Sequence, residues 1–424
     1  MSNSFSKEER VAFDQILEGF EDQLVLSKNV NTYRTDDVTM ERTGNTIWRP
    51  QPYIAQSFSG TDMTSNFKDY TQLAVPATLG YSKSVPWIMS ATELRDALQE
   101  NRLGNAAKQK LASDINVAVM NIAANQGTLV VKRTTAAAGY DDVAQCDALM
   151  NEQGVPSWDR YLALSTRDYN GMASNLAAST RSFTGNKSSN AYERSTVGMV
   201  AGFDTYKLDY ANRLAAAAGG GALTIDTRSS ASNYYTPKAT STATTGEVSN
   251  VDNRYQTITI SSTTSVAAGD CFTIANCYAV HHITKSSTGQ LKTFRVISVP
   301  SSTTLVISPP IISNQGSTDA EAEYQNVTFS ATASNAAITF LNTAAASVNA
   351  FWQKDAIELL PGRYAVPADA GTAVMRASTD QGIELVMQKW YDINTMKTKF
   401  RIDTLFGVAM VQPEMAGIML FSQS

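Results

Sequence analysis

The sequence has few of the residues on which much catalytic chemistry depends. It contains only two histidines in 424 residues, the adjacent His281 and His282. A histidine-dependent catalytic triad or metalloprotease would therefore have to use one of this pair. Neither an H-E-x-x-H nor a G-x-S-x-G motif occurs. We expect a protein that is not an enzyme and has no catalytic residues.

Metal and cofactor sites are also poorly supported. Cys271, Cys277, His281 and His282 could each bind zinc, but C-x5-C-x3-H-H is not a standard ligand spacing. Neighbouring side chains on a strand point to opposite faces, so two adjacent histidines could hardly share one metal. The glycine run at 219–221 lacks the Lys-Ser or Lys-Thr of a phosphate loop and indicates a hinge. No metal and no cofactor is predicted.

Cysteines and long apolar runs are scarce. Three cysteines do not make a disulfide framework. A Cys271–Cys277 bridge is one alternative, and free thiols buried in a core are the other. The N-terminus lacks the apolar region of a signal peptide, and no apolar run approaches the ~20 residues needed to span a bilayer. We expect a protein made and kept in a cytoplasm.

Charge is low as well. Charged residues make up 17% of the chain, below the average of about 25%. The net charge of −5 argues against tight binding of nucleic acid through phosphate neutralisation. Ser, Thr, Asn and Gln must then cover much of the surface, which suits large protein contacts or a crowded assembly. Two acidic pairs, Asp141 with Asp142 and Glu321 with Glu323, are expected in solvent at caps or loops.

Residues 88–129 carry the longest helical signal. Ser90 and Glu93 form a capping box at its start, and Gly127 favours a left-handed turn at its end. Gly104 costs ~1 kcal/mol in a helix interior, so it is predicted to divide a short helix from a longer one over about 105–126. The residues predicted to face the core from this helix recur at spacings of four and three: Leu111, Ile115, Ala118 and Ile122.

An amphipathic helix is predicted over residues 6–29, with a second capping box at Ser6 and Glu9. Its apolar stripe consists of Phe13, Ile16, Leu17, Phe20 and Leu24. Two interpretations stay open. The helix is either an arm that packs on another part of an assembly or a helix that caps its own domain.

The chain from Pro50 to about Asp69 is polar and interrupted by proline and glycine, as is typical of a functional or disordered excursion. It returns through a strand-like run in which Pro76 indicates an edge or a strand end. Two extended segments that flank a polar tip predict a protruding hairpin.

The middle of the chain alternates predicted strands and helices, as in an α/β or α+β unit. Strands are expected at GTLVVKR and YLALS, helices after Asp141 and near DYNGMASNLAAS, and a loop over residues 181–195. After residues 215–221 the composition changes, and Ser and Thr fill ten of the nineteen positions 227–245. Short alternating runs without helices then predict a β-barrel or sandwich over residues 220–345.

Beyond Phe340 the pattern indicates a helix through LNTAAASVNAFW. IELVMQKW and KFRIDTLFGVAM then predict two long strands joined as a hairpin by YDINTMKT. Phe400, Ile402, Thr404 and Phe406 share one face of the second strand. The tail PEMAGIMLF is apolar and is expected to be buried.

The order of these segments resembles the major capsid (coat) proteins of short-tailed double-stranded DNA phages of the Salmonella-phage coat family. The matching strings are NTIW at 45–48, LRD at 94–96, NIAANQGTLVV at 121–131, VAGFD at 200–204, VDNRY at 251–255, NAFWQKDAI at 349–357 and RIDTLFGVAMVQPEMAGI at 401–418. None of these strings is a catalytic signature. The resemblance depends on their collinearity and on a β domain inserted at the family's place.

This resemblance implies an α+β chain with the Hong Kong 97 capsid fold and an inserted all-β barrel domain. The implied domains are an N-terminal arm (1–40), an E-loop hairpin with flanking strands (41–80), a peripheral domain with the spine helix (81–135), a first axial part (136–219), the inserted barrel (220–345), a second axial part (346–395) and C-terminal strands of the peripheral domain (396–424). A loop around 232–250 corresponds to one that contacts neighbouring capsomers, with Tyr234, Tyr235, Lys238 and Glu247 as its candidate residues. Its few charges argue against salt bridges between capsomers.

The resemblance further implies a structural protein of the virion, assembled in the bacterial cytoplasm into the pentamers and hexamers of an icosahedral shell. Implied partners are further copies of the chain, a scaffolding protein, a portal protein, a decoration protein and packaged double-stranded DNA, with no membrane. A precursor shell that expands is implied, and we expect the movement at Gly104 and in the N-terminal arm. A secreted or surface β-rich binding module is the alternative function.

Overall fold

A continuous helix, α2 (Ala97–Gln126), is the longest element of the computed structural model. The structure describes residues 5, 7–33, 44–52, 54–90, 92, 97–177, 186–210, 212–218, 223–225, 234–314, 318–329, 335–366 and 371–423. The predicted break at Gly104 is wrong, because the helix runs through this residue. Residues 88–90 belong to a strand rather than to the helix, and Glu93 of the predicted capping box lies outside the described residues.

The chain forms two compact units. The first consists of Met1–Ile47, Pro76–Met120 and Ile357–Ala409, and the second of Trp48–Val75, Asn121–Ala356 and Met410–Ser424.

The first unit contains one large sheet. Its strands follow the order β1 (Asn31–Thr32), β21 (Ile357–Pro361), β24 (Lys397–Met410), β23 (Glu384–Asp392) and β22 (Ala373–Ser378), and β4 (Tyr81–Ser90) also pairs with β24. Phe400, Ile402, Thr404 and Phe406 are all buried, as the alternating pattern of β24 predicts. The predicted hairpin of β23 and β24 is confirmed, since Asp392 pairs with Lys397 and Leu385 with Thr404.

The N-terminal helix α1 (Lys7–Gln23) packs within the same unit. A Cβ atom added to Gly104 would lie 2.6 Å from Ile16 Cδ1, so α1 and α2 approach closely there. Asn116 Nδ2 donates to the carbonyl of Gln23 at 3.0 Å. Ile16 of α1 lies at Gly104 of α2, and the later Gln23 lies at the later Asn116. The two helices therefore run in the same direction.

The second unit contains a mixed sheet in the order β5 (Leu129–Lys132), β25 (Ala416–Leu420), β20 (Asn349–Gln353), β6 (Arg160–Ser165), β8 (Phe203–Leu208) and β7 (Met199–Val200). The helices of this part of the chain are α3 (Tyr140–Gln153), α4 (Thr166–Ala177) and α5 (Asn186–Arg194). One apolar core joins α3 and α4 to the sheet through Cys146, Met172, Leu162 and Phe351.

Two sequence predictions fail in this region. The predicted helix through LNTAAASVNAFW is absent from the described residues 340–352, and NAFWQ is the fully buried strand β20 between β6 and β25. The expected loop over residues 181–195 contains helix α5, with residues 181–185 outside the described part. The local alanine-rich and polar patterns are overridden by pairing and packing with distant segments.

A second sheet of this unit has the order β10 (Thr224–Ile225), β18 (Ala336–Phe340), β14 (Cys271–Val280), β15 (Ser287–Ser298), β16 (Thr304–Ser308) and β13 (Gln256–Thr259). β17 (Val327–Phe329) also pairs with β14. An antiparallel bridge from Ile225 to Ile260 links the two ends of the order, so the strands close into a barrel. A short helix, α6 (Asp319–Tyr324), interrupts a stretch that we expected to lack helices.

In the described residues, three two-stranded ribbons complete the pairing of the strands: β2 (Thr46–Pro50) with β3 (Ala74–Thr78), β9 (Arg213–Leu214) with β19 (Ala346–Ser347), and β11 (Thr240–Thr242) with β12 (Val248–Asn250). β9 and β19 lie just before and just after the strands of the barrel. The chain therefore enters and leaves the barrel through two segments that pair with each other, as is expected of an inserted domain. The limits 220–345 stay a prediction.

The strand pairing differs from the sequence-based division near the C-terminus. β22 and β23 share a sheet with β24, whereas the predicted boundary at 395/396 separates them. β25 pairs with β20 and β5 in the other sheet rather than joining β24. The names axial and peripheral for these parts stay predictions.

Candidate assembly surfaces

The hairpin of β11 and β12, residues 240–250, projects from the second unit and is here called the exposed hairpin. Every residue from 240 to 250 is exposed. Ala243 N–H donates to the carbonyl of Glu247 at 2.8 Å, and Gly246 takes a positive φ of 85° that closes the turn. Glu247 is the only charged residue among residues 239–250. The hairpin is thus a Ser/Thr-rich projection with little charge.

Asn253 fixes the base of the exposed hairpin. Its Oδ1 accepts from Tyr235 Oη at 2.9 Å and from Lys238 N–H at 3.1 Å, and its Nδ2 donates to the carbonyl of Lys238 at 2.9 Å. Burial, and then the nearby Asp252 carboxylate, raises the pKa of Tyr235 to about 12. The Tyr235 hydroxyl therefore stays protonated and can donate to Asn253 at any physiological pH.

The four residues predicted for this loop do not form one surface. Tyr234 packs edge-on against Phe329, with ring centroids 6.1 Å apart, and Tyr235 packs into a small apolar cluster around Leu73. Only Lys238 and Glu247 are exposed. Sequence reasoning missed Asn253, although an asparagine beside a Ser/Thr-rich loop is a typical side chain for fixing backbone turns.

The extended loop, residues 51–73, is a second projecting segment. Its described residues, 51–52 and 54–73, contain no strand and no helix. Lys68 Nζ pairs with Asp319 Oδ1 at 2.6 Å, and Tyr324 Oη donates to the carbonyl of Thr71 at 2.8 Å. The side chain of Phe67 is 85% exposed. The loop is held to α6 and presents an aromatic side chain to solvent.

Glu321 and Glu323, expected in solvent, are buried on α6. Glu321 Oε1 accepts from the hydroxyl of Thr236, and Glu323 Oε2 accepts from Thr71 N–H at 3.4 Å. Burial raises the pKa of Glu323, and the Thr71 bond partly offsets that effect. Asp142 is buried as well, where it pairs with Arg133 at 2.6 Å. The expectation of solvation was wrong for these three carboxylates. Segments distant in sequence cover Glu321 and Glu323, whereas Asp142 accepts hydrogen bonds from the nearby Arg133 side chain and from the N–H groups that cap its own helix.

A buried polar cluster lies between β15, the end of α3 and the segment before β25. Lys292 Nζ is paired with Glu414 Oε1 and donates to Gln153 Oε1 at 2.9 Å. His282 Nε2 lies 3.4 Å from Glu414 Oε2, and Asn326 Nδ2 donates to Glu414 Oε1 at 3.3 Å. Burial alone would raise the pKa of Glu414, but Lys292, His282 and Asn326 lower it overall. Lys292, Gln153, Asn326 and Glu414 thus hydrogen-bond within the cluster, whereas the buried His282 Nε2 makes no hydrogen bond with the described residues.

The predicted core face of the spine helix is only partly matched. Leu111, Ile115 and Ala118 are buried, while Ile122 is half-buried and Ala123 beside it is buried. On α1, Phe13, Ile16 and Phe20 are buried and Leu17 is half-buried. Leu24 is also buried but lies after the helix, which ends at Gln23 rather than at the predicted residue 29. Of the two interpretations of α1, the structure favours the helix that packs on its own unit.

The described residues hold no group of three or more His, Cys, Asp or Glu side chains arranged to bind a metal ion. His281 and His282 follow β14, and the three cysteines are buried as free thiols. Among the helices in the described ranges, none is long and apolar enough to cross a membrane.

A comparison with known protein families shows which family this chain belongs to. The model of the P22 coat protein family, described as P22 coat protein, gene protein 5, matches residues 1–422. The chain belongs to the P22 coat protein family. Coat proteins of this family are structural components of phage capsids, so this chain is a capsid protein of a phage virion with the Hong Kong 97 type of fold, and it is not an enzyme.

Solved structures similar to this coat protein include other capsid proteins. A chain from Mycobacterium phage Che8 is 10% identical over 93% of this chain and 90% of its own, with a TM-score of 0.43. A capsid protein of the cyanophage P-SCSP1u is 12% identical over 93% and 86%, with a TM-score of 0.44. The CUS-3 coat protein I-domain is 39% identical over 28% of this chain and 96% of its own, with a TM-score of 0.21.

Proposed function

We propose that this coat protein assembles into pentamers and hexamers that together form an icosahedral head around double-stranded DNA. The observation that carries the proposal is the family match over residues 1–422. Head-to-tail contacts between identical subunits close into rings when the rotation between them closes. The rings then need further contacts to join them into a shell.

The surface of the chain fits this role. The extended loop exposes Phe67, and the exposed hairpin presents eleven consecutive exposed residues, 240–250. Projecting segments of this kind can overlap neighbouring subunits and bury large areas with few charges. By contrast, the apolar stripe of α1 is already covered in its own unit, so contacts of the arm with neighbours would use its other face.

We further propose that the shell first assembles as a precursor on a scaffolding protein in the host cytoplasm, includes a portal protein and expands as DNA enters. A decoration protein is a further expected partner. These statements rest on the resemblance to the coat family. Expansion requires an element with two packing arrangements. We propose that this element is the contact between α1 and α2 at Gly104.

Electron microscopy of the protein co-expressed with its scaffold tests the assembly. Closed shells of uniform size are expected. Monodisperse monomers under all conditions would contradict the proposal, and they would also be the result expected for a secreted binding module.

Hydrogen exchange before and after expansion tests the moving element. Amides around Gly104 and in α1 are expected to change protection, with the barrel strand β14 as an internal reference. Equal protection in both states would exclude this site as the hinge.

A further inference from the structure

We infer that the exposed hairpin joins two copies of the chain by antiparallel pairing of the β11 edges, through backbone hydrogen bonds rather than salt bridges. This inference rests on the proposed shell, in which projecting segments overlap neighbouring subunits. The partner of β11 is the β11 strand of a second copy of the chain. The contact would be two-fold symmetric and would therefore join subunits of different rings, because ring contacts are head-to-tail.

The hydrogen bonding inside the hairpin shows which backbone groups face outward. Val251 N–H donates to the carbonyl of Ala239 at 3.2 Å, and Ala243 N–H donates to the carbonyl of Glu247 at 2.8 Å. Hydrogen-bonded and non-hydrogen-bonded pairs alternate along an antiparallel ladder. The pairs Thr240/Asn250 and Thr242/Val248 are therefore the non-hydrogen-bonded ones.

The N–H and C=O groups of Thr240 and Thr242 consequently point away from β12. In the described part of the chain, β12 is the one strand that pairs with β11, and all three residues of β11 are exposed. The outer edge of β11 thus presents two donors and two acceptors in the geometry that a further strand requires. Exposed edges of this kind add strands from other chains.

The side chains of this edge do not protect it against pairing. Natural edge strands are commonly blocked by lysine, proline, a bulge or an inward charge. Residues 239–246 contain no charged residue and no proline, and β11 itself reads Thr-Ser-Thr. Threonine favours strands, and Thr–Thr pairs across strands are favourable.

A two-fold axis at Ser241 gives a self-consistent register. It places Thr240 opposite Thr242 of the second copy, so each such pair exchanges two backbone hydrogen bonds, and no like charges face each other. The edge of β12 is less suitable, because Glu247 adjoins it and Asn250, a residue depleted in strands, lies within it. The two hairpins together then form a four-stranded sheet with the β11 strands at its centre.

A disulfide test follows from this register. Ser241→Cys would place two thiols in a directly opposed non-hydrogen-bonded pair, with Cα atoms about 4.5 Å apart, within disulfide reach. In the matched control Ser249→Cys, the thiols would lie on the outer strands, about 14 Å apart at ~4.8 Å per strand, beyond that reach. The native cysteines are buried and contribute little background.

Shells of each variant, co-assembled with wild-type chain and treated with diamide as the oxidant, are analysed on a non-reducing gel. A reducible dimer is expected for Ser241→Cys and not for Ser249→Cys. Shells in which the Ser241→Cys variant forms no dimer, or in which the Ser249→Cys variant alone forms one, overturn the inference and leave the proposed shell intact. Failure of the wild-type chain to form shells instead removes the proposed function and this inference with it.

A second pair of variants separates backbone from side-chain contacts. Thr242→Pro removes an outward N–H and leaves the bonds to β12 intact, whereas Thr242→Val keeps the N–H and changes only the side chain. After heating, Thr242→Pro shells are expected to survive several-fold less often than wild-type shells, and Thr242→Val shells equally often. Equal survival of the proline and wild-type shells would contradict edge pairing.

Discussion

The ammonium group of Lys292 on β15 is buried against the carboxylate of Glu414, which lies just before β25. The exposed fractions of the two side chains are 2% and 11%. Gln153 and Asn326 supply further hydrogen bonds to this pair. The ion pair connects a strand of the barrel to the chain that enters the mixed sheet of the same unit.

Removing one partner of this pair should cost much of the stability of the second unit. Lys292→Met leaves the Glu414 carboxylate buried without its cation, and we expect the free energy of unfolding to fall by about 3–5 kcal/mol. Denaturant unfolding of the unassembled chain measures the change. Lys68→Met, at the exposed pair with Asp319, is the control and should cost less than about 1 kcal/mol.

Replacing both members should be far less harmful than replacing one. Lys292→Met with Glu414→Leu removes both charges together, so most of the loss should be recovered. A double variant as unstable as the sum of the single variants would show that the two side chains act independently.

The same cluster predicts a loss of stability in acid. Burial lowers the pKa of His282 from 6.5 to about 4, although Glu414 opposes this shift. Between these values the unfolded chain binds a proton that the folded chain does not, so stability falls as the pH drops from about 6.5 towards 4, by up to about 1.4 kcal/mol per pH unit. Urea unfolding across this range should show a shallower dependence for His282→Asn. Parallel curves for the variant and the wild-type chain would exclude His282 as the source.

The close approach of α1 to α2 predicts a coupled pair of substitutions. A Cβ at Gly104 would lie 2.6 Å from Ile16 Cδ1, so Gly104→Val should destabilise the first unit by about 1–3 kcal/mol despite the better helix propensity of valine. In an Ile16→Val background, which lacks Cδ1, the penalty should shrink. A double-mutant cycle on denaturant midpoints gives the coupling energy, and a value near zero would contradict the contact.

The packing of α1 within its own unit predicts its effect on the unassembled chain. Phe20 is fully buried, so Phe20→Ala should cost about 3–5 kcal/mol and expose α1 to protease before any assembly. Val11→Ala, at a half-exposed position of the same helix, is the control and should have little effect. If both variants resist protease as the wild-type chain does, α1 is not anchored as the structure shows.

Local patterns predicted the elements whose burial is simple and periodic. The face of Phe400, Ile402 and Phe406 lies buried as alternation requires, and the short strands of the barrel occur where Thr, Val and Ile alternate. The loop around residues 232–250, which contains the exposed hairpin, was predicted from its composition, which is that of a solvent-exposed segment. Asn253, whose side chain holds the base of the hairpin by hydrogen bonds, was not predicted, because a single asparagine leaves no periodic pattern in the sequence.

The failures share a physical cause. The strand β20 follows an alanine-rich run whose composition favours a helix in isolation, yet β6 and β25 pair with it on both sides, and pairing outweighs propensity. Gly104 was interpreted as a helix break because glycine destabilises a helix interior. The structure shows instead that the side chain of Ile16 occupies the space that a larger residue at position 104 would need. Glu321 and Glu323, expected in solvent, are buried against Thr236 and Thr71, which lie far away in sequence.

The amino-acid sequence by itself determined the class of this protein: a chain of low charge, with few histidines, whose collinear strings resemble phage coat proteins and whose composition changes at an inserted β domain. Only the tertiary structure decided how the exposed hairpin is bonded, which backbone groups of β11 face outward, and where Lys292 meets Glu414. Composition and periodicity act between neighbours in sequence. Edge exposure and the pairing of buried charges depend on which distant segments come together, and only the folded chain brings them together.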